Sequence, residues 1–109
     1  MARLVQFLVS ITSQDRRRRR HVAERGRILQ FIVQYETIVE GRWLPVVRYD
    51  TAHGYAHKHV FHPDDREDII RMQTQDYNKA LSIAEEDVRN NWLNYKVTFL
   101  KEAEVNESE

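Results

Sequence analysis

From Leu4 to Thr12 the chain is mostly apolar, broken by Gln6 and Ser10, and this pattern predicts a buried strand. Ser13 to Gly26 is polar and arginine-dominated, and reads as an exposed hairpin loop or a loop with a partly helical turn. Alternation is clearest from Ile28 to Val39: Leu29, Phe31, Val33 and Tyr35 fall on one side, and Gln30, Gln34 and Glu36 on the other. A period of two predicts a strand with one face against a core. Glu40-Gly41-Arg42 supplies the turn, with Gly41 free to take positive φ. Trp43 to Asp50 returns as the next strand, with Pro45, which has no N–H to donate, near its start or on an edge. Thr51 to Gly54 turns the chain again, and Ala56 to His62 makes a fourth strand. These connections are too short for parallel crossovers, so the strands form an antiparallel meander.

Pro63-Asp64-Asp65 ends that strand, and a short helical turn is expected through Asp68, Ile69 and Ile70. A long helix then starts near Thr74 or Asp76 and runs to about Glu102. Its stripe is Tyr77, Leu81, Ala84, Val88, Trp92 and Tyr95, spaced by threes and fours. The stripe fits the Phe31/Val33 face of the sheet. The expected fold class is therefore α+β: an antiparallel meander of about four strands with one long C-terminal helix packed on one face. A single domain spans 1–103, and an acidic tail, 104–109, frays.

A chain of 109 residues builds one core, and 41% hydrophobic with 31% charged residues suits a folded protein. Seventeen basic residues balance seventeen acidic ones, so any pull toward nucleic acid must be local. With no cysteine, disulfides, thiol catalysis and Cys-type zinc sites are excluded. No stretch approaches the roughly 20 apolar residues that span a bilayer, and the start lacks a signal-peptide pattern. No membrane association and a cytoplasmic location are expected.

The unusual segment runs from Arg48 to Asp64. It holds His53, His57, His59 and His62, four of the five histidines. Residues two apart on a strand share a face at roughly 6.5–7 Å, so Arg48 pairs with Asp50 and His57 with His59. Pairing across the Thr51–Tyr55 turn would gather all four on the face away from the helix. Two chemistries suit such a cluster. In one, His57 and His59 bind a divalent metal, with a third ligand from His53, His62, Asp50 or Asp64. In the other, one histidine takes a proton from a ribose 2′-hydroxyl and a second protonates the leaving oxygen, while Arg48 or Lys58 stabilises phosphoryl charge. Beside both stands the reading of solvated histidines and a simple Arg48–Asp50 ion pair, worth about 0.2–1 kcal/mol. His21 reads as solvated. Arg16, Arg17, Arg18, Arg19 and Arg20 read as a solvated loop tip, a contact for RNA or DNA phosphates, or a dock for an acidic partner. Tyr77, Trp92 and Tyr95 read as core.

The stretch Val47-Arg48-Tyr49-Asp50-Thr51-Ala52-His53-Gly54, with Ala56-His57-Lys58 and His62-Pro63-Asp64, resembles a group of small uncharacterised prokaryotic proteins that share an R-Y-D-x-A-H-G motif and a histidine-rich continuation. The resemblance runs from about Phe31 to Tyr95. More distantly the chain is similar to TumE-type toxins of toxin–antitoxin modules, with Arg48, Asp50, His57 and His59 matching their arginine-aspartate strand and histidine cluster. That resemblance implies a toxin acting on RNA or another translation component, neutralised by a helix-turn-helix antitoxin. The arginine run departs from the pattern. The leading expectation is a metal-independent, cofactor-free RNA-cleaving toxin. His57 and His59 would be acid and base, Asp50 would orient, Arg48 and Lys58 would bind phosphate, and Arg16 to Arg20 would hold the RNA backbone. The alternative is a non-catalytic module binding nucleic acid or protein through the basic loop and the histidine strand. A third reading is metal storage or sensing through His53, His57, His59 and His62. An exposed sheet edge beside Pro45 would permit a homodimer.

Overall fold

Phe31, Val33, Tyr35 and Thr37 of β3 (Arg27–Val39) point to one side and are buried, as the alternation requires. The computed structural model describes residues 1–108, with side chains through Glu104. β3 is central in a six-stranded sheet with β1 (Arg3–Thr12), β2 (Asp15–Glu24), β4 (Arg42–Asp50), β5 (His57–Phe61) and β6 (Glu67–Arg71). The strands lie in chain order and every neighbouring pair is antiparallel. One helix follows, α1 (Tyr77–Ser108), and packs on β3 and β4. The class is α+β, as expected, with six strands in place of about four.

Both additional strands lie where the sequence pattern suggested otherwise. The arginine run is β2 and not a loop. Arg16, Arg18 and Arg20 lie opposite Glu36, Gln34 and Ile32 on the face away from α1, while Arg17 and Arg19 lie opposite Tyr35 and Val33 on the helix face. A strand this basic is tolerable because buried carboxylates receive it. Glu36 takes Arg16 at 2.6 Å and Arg18 at 3.1 Å, and Glu85 of α1 takes Arg17 and Arg19. Burial alone would raise the Glu36 carboxyl, but hydrogen bonds from Arg18, Arg16 and Gln34 outweigh it and hold Glu36 below its ordinary range. The second addition, β6, replaces the helical turn expected at Asp68–Ile70. The Pro63–Arg66 turn folds the chain straight back, with the His62 N–H donating to the Arg66 carbonyl at 2.8 Å, and two adjacent β-branched residues favour the extended form.

The turns and the break are locally encoded. Arg25 and Gly26, and again Glu40 and Gly41, all have positive φ, the geometry of the tight hairpin that matches sheet twist. Opposite β3, the β4 register slips between Pro45 and Val47. Pro45 lies before the stretch of β4 that pairs with β5, so its missing N–H breaks no ladder there.

Asp76 caps α1, its carboxylate accepting from the backbone N–H of Asn78 at 3.0 Å and of Lys79 at 3.3 Å. Ala80, Leu81, Ala84, Val88 and Phe99 bury themselves against Phe31, Val33, Tyr35, Val47 and Tyr49, with Tyr77, Trp92 and Tyr95 at the margin. Trp92 meets the Tyr35 ring at 6.0 Å. Polar clamps complete the seam. Lys96 reaches buried Asp15 at 3.0 Å, and Asp87 accepts from the Tyr49 hydroxyl at 2.6 Å and the Tyr95 hydroxyl at 2.5 Å. α1 runs through 104–108 of the expected tail, while the side chains of 105–108 and all of Glu109 fall outside the described residues. Among the described residues no helix is long and apolar enough to cross a membrane.

Candidate functional site

The β4–β5 register sets Arg48 opposite His59 and Asp50 opposite His57, bringing these four onto the sheet face away from α1. The short turn between the strands is what aligns them. The Thr51 hydroxyl accepts from the Phe31 N–H at 3.0 Å, and Asp50 Oδ1 accepts from the Ala52 N–H at 3.1 Å. His53 and Gly54 then take φ of 67° and 85° to reverse the chain. These bonds fix Asp50 from behind before any ligand is considered.

His57 is 2% exposed. Its Nδ1 lies 2.9 Å from the Tyr55 carbonyl, which only accepts, so Nδ1 is the donor there. Its Nε2 faces Asp50 Oδ1 at 2.7 Å. His59 repeats the arrangement, with Nε2 at 3.5 Å from Asp50 Oδ2 and Nδ1 at 3.2 Å from Glu67 Oε2. One donor atom each from Asp50, His57 and His59 all lie within 4.8 Å of one another. A column of rings holds the imidazoles: Tyr55 to His57 at 4.6 Å, His57 to His59 at 4.6 Å, and His59 stacked on Phe61 at 5.8 Å. Two imidazoles and one carboxylate converge, and each imidazole is oriented through its far nitrogen by an oxygen. This is the donor set of many transition-metal sites together with their usual outer partners.

The remaining sequence candidates lie elsewhere. Lys58 does not join the histidines, because strand alternation sends it to the helix face. There it donates to the Tyr95 hydroxyl at 2.6 Å and lies 3.7 Å from Asp87. The His53/His57/His59/His62 metal set is not assembled. His53 is exposed on the turn, and His62 sits between Glu102 at 2.7 Å and Asp68 at 2.9 Å. Asp50 stands in their place, while Asp64 pairs with Arg66 at 2.7 Å. Arg48 does belong to the cluster; its Nε donates to Gln34 at 2.6 Å and its guanidinium lies 5.4 Å from the Phe61 ring. His21 is half-buried, not solvated, and burial with nearby Arg19 and Arg3 lowers its pKa.

Of Arg16 to Arg20, the first four are committed to Glu36 or Glu85. Arg20 has no carboxylate partner among the described residues, and it lines a small recess that reaches Asp50. Glu67 beside His59, and Glu36 and Glu85 beside the arginines, are acidic residues whose roles the sequence pattern did not single out. Glu67 carries no local signal, since its role depends on β6 pairing with β5.

The expected likeness to TumE-type toxins finds no support in comparisons with known proteins. No curated protein and no solved structure matches the chain. A family model, described as a domain of unknown function, DUF7718, matches residues 2–105, well beyond the Phe31–Tyr95 span on which the sequence resemblance rested. The chain belongs to the DUF7718 family.

Proposed function

We propose that the protein binds one divalent transition-metal ion through Asp50, His57 and His59 and uses it for metal-assisted hydrolysis of a phosphoester, with RNA as the substrate class. The observation that carries this reading is the paired orientation of His57 and His59. Both direct Nε2 at Asp50, while the Tyr55 carbonyl and the Glu67 carboxylate hold the opposite nitrogens. His57 is 2% exposed with both ring nitrogens already facing oxygens, an arrangement that supports a held ligand set over a free acid–base pair. The ion would polarise a phosphoryl oxygen and carry the attacking water. The water oxygen bonds to phosphorus, the bond from phosphorus to the leaving oxygen breaks with its electron pair, and a water proton ends on that oxygen. Arg48, beside His59, would hold the phosphoryl charge. A cytoplasmic toxin restrained by a helix-turn-helix antitoxin is the cellular role consistent with this chemistry.

Calorimetric titration with Zn²⁺ and with Mn²⁺ tests the centre. Wild type should take up one equivalent. Asp50→Asn, His57→Ala and His59→Ala should each lose more than the roughly 10–100-fold typical of an outer partner. Induced expression should then arrest growth and cleave RNA in wild type, but not in the His57→Ala/His59→Ala double variant at equal soluble level. A second reading rests on the 2.7 Å His57–Asp50 contact, which is already a satisfied pair. If no metal binds, that pair is a strut of the sheet and the chain is a binding module.

A further inference from the structure

The arginine run and the candidate metal centre meet at one point. Arg20 lies opposite Ile32, Ile32 opposite Asp50, and Asp50 opposite His57, so a single row crosses β2, β3, β4 and β5. Beside that row is a recess of about 100 Å³ whose lining includes Arg20, Gln30, Phe31, Ile32, Asp50 and Thr51. It opens to solvent and has room for a small tetrahedral oxyanion.

Charge points the same way. Arg16 to Arg19 are neutralised within the fold, whereas Arg20 is not. Two more arginines on this face have no carboxylate among the described residues: Arg48 opposite His59, and Arg71 opposite His57, whose guanidinium lies 5.1 Å from the Tyr55 ring. Around the centre stand Asp50 and Glu67 against Arg20, Arg48 and Arg71, and a bound divalent ion would add two further positive charges. Arg20 lines the recess together with Gln30 and Thr51, and a guanidinium offers the planar donor fork that matches a phosphoryl group.

We propose that the recess between Arg20 and Asp50 is a subsite for a single phosphoryl-type oxyanion, so that the substrate is engaged through a terminal or scissile phosphate with Arg20 as its binding residue. The inference rests on the metal-centre reading for the chemistry that follows binding, but not for the binding itself.

Inorganic phosphate is the probe. Zn²⁺ stoichiometry is measured first on wild type, Arg20→Gln, Arg20→Lys and Arg18→Gln, and phosphate is then titrated into each protein with and without the ion. Wild type should bind one phosphate saturably. Arg20→Gln should weaken it at least tenfold with metal uptake unchanged. Arg20→Lys should retain part of the affinity, and Arg18→Gln, which loses only a guanidinium already held by Glu36, should bind as wild type. Equal phosphate affinity in Arg20→Gln overturns the subsite. So does equal weakening in Arg18→Gln, which would mean diffuse surface charge, or a wild type with no saturable binding. Failure of Zn²⁺ uptake in wild type overturns the hydrolytic reading alone, because the metal-free phosphate titrations still decide the role of Arg20.

Discussion

His57 has two ring nitrogens and two oxygen neighbours, Tyr55 O and Asp50 Oδ1. Both contacts are filled either by two ring protons or by one ring proton and a cation on Nε2. His59 faces the same choice between Glu67 and Asp50. Glu67 is thus the residue whose removal isolates the orienting effect from the ligand set. Glu67→Gln should weaken Zn²⁺ binding about 10–100-fold and, because Glu67 is exposed, should change unfolding free energy by no more than about 0.5 kcal/mol. Calorimetry with thermal melting checks both, and undiminished metal affinity would remove Glu67 from the site. At this scale the sequence was informative about Arg48, Asp50, His57 and His59. A period of two and a five-residue turn leave few ways to arrange them. Lys58 was equally legible, since the period that unites His57 and His59 assigns the residue between them to the other face. Its charge suggested a phosphate contact beside the histidines, but its position puts it on the helix face with Tyr95 and Asp87. Glu36 and Glu85 were not legible, because they meet the arginines only once strands and helix have packed.

Among elements, α1 is held at its far end by His62. Its Nδ1 meets Glu102 on the helix and its Nε2 meets Asp68 on β6. The hydrogen bond to Glu102, then that to Asp68, raise the His62 pKa above its ordinary value of 6.5. A histidine whose pKa is raised on folding stabilises the fold fully below its unfolded pKa, and loses that contribution as pH climbs through the folded value. His62→Asn should therefore lower Tm more at about pH 5.5 than at about pH 8.5. A loss independent of pH would show that the contact acts through packing alone. The long periodic helix and the alternating β3 were readable because each buries a face that its own pattern displays. β2 was unreadable because its polar residues are satisfied across the fold. β6 was unreadable because adjacent Ile69 and Ile70 suit a strand or a helical turn equally well.

For the whole molecule, the core has one wall of sheet and one of helix. Phe31, Val33, Tyr35, Val47 and Tyr49 face α1, which packs on β3 and β4. A chain ending at Asp76 should keep its six strand sequences yet fail to fold. Circular dichroism should show no cooperative melting, and a cooperative transition in residues 1–76 would mean that the sheet is stable alone.

The strict agreement between strand order and chain order also bears on how the protein is made. Each strand leaving the ribosome finds its neighbour already synthesised, so the sheet can grow by successive hairpins with little search. The helix arrives last. Translation at about 5–20 residues per second leaves the apolar side of β3 bare for on the order of 3–13 s, from the emergence of Tyr35 to that of Phe99. During that interval the nascent chain presents a half-built apolar wall to the cell, and the wall closes only when α1 has emerged to cover it.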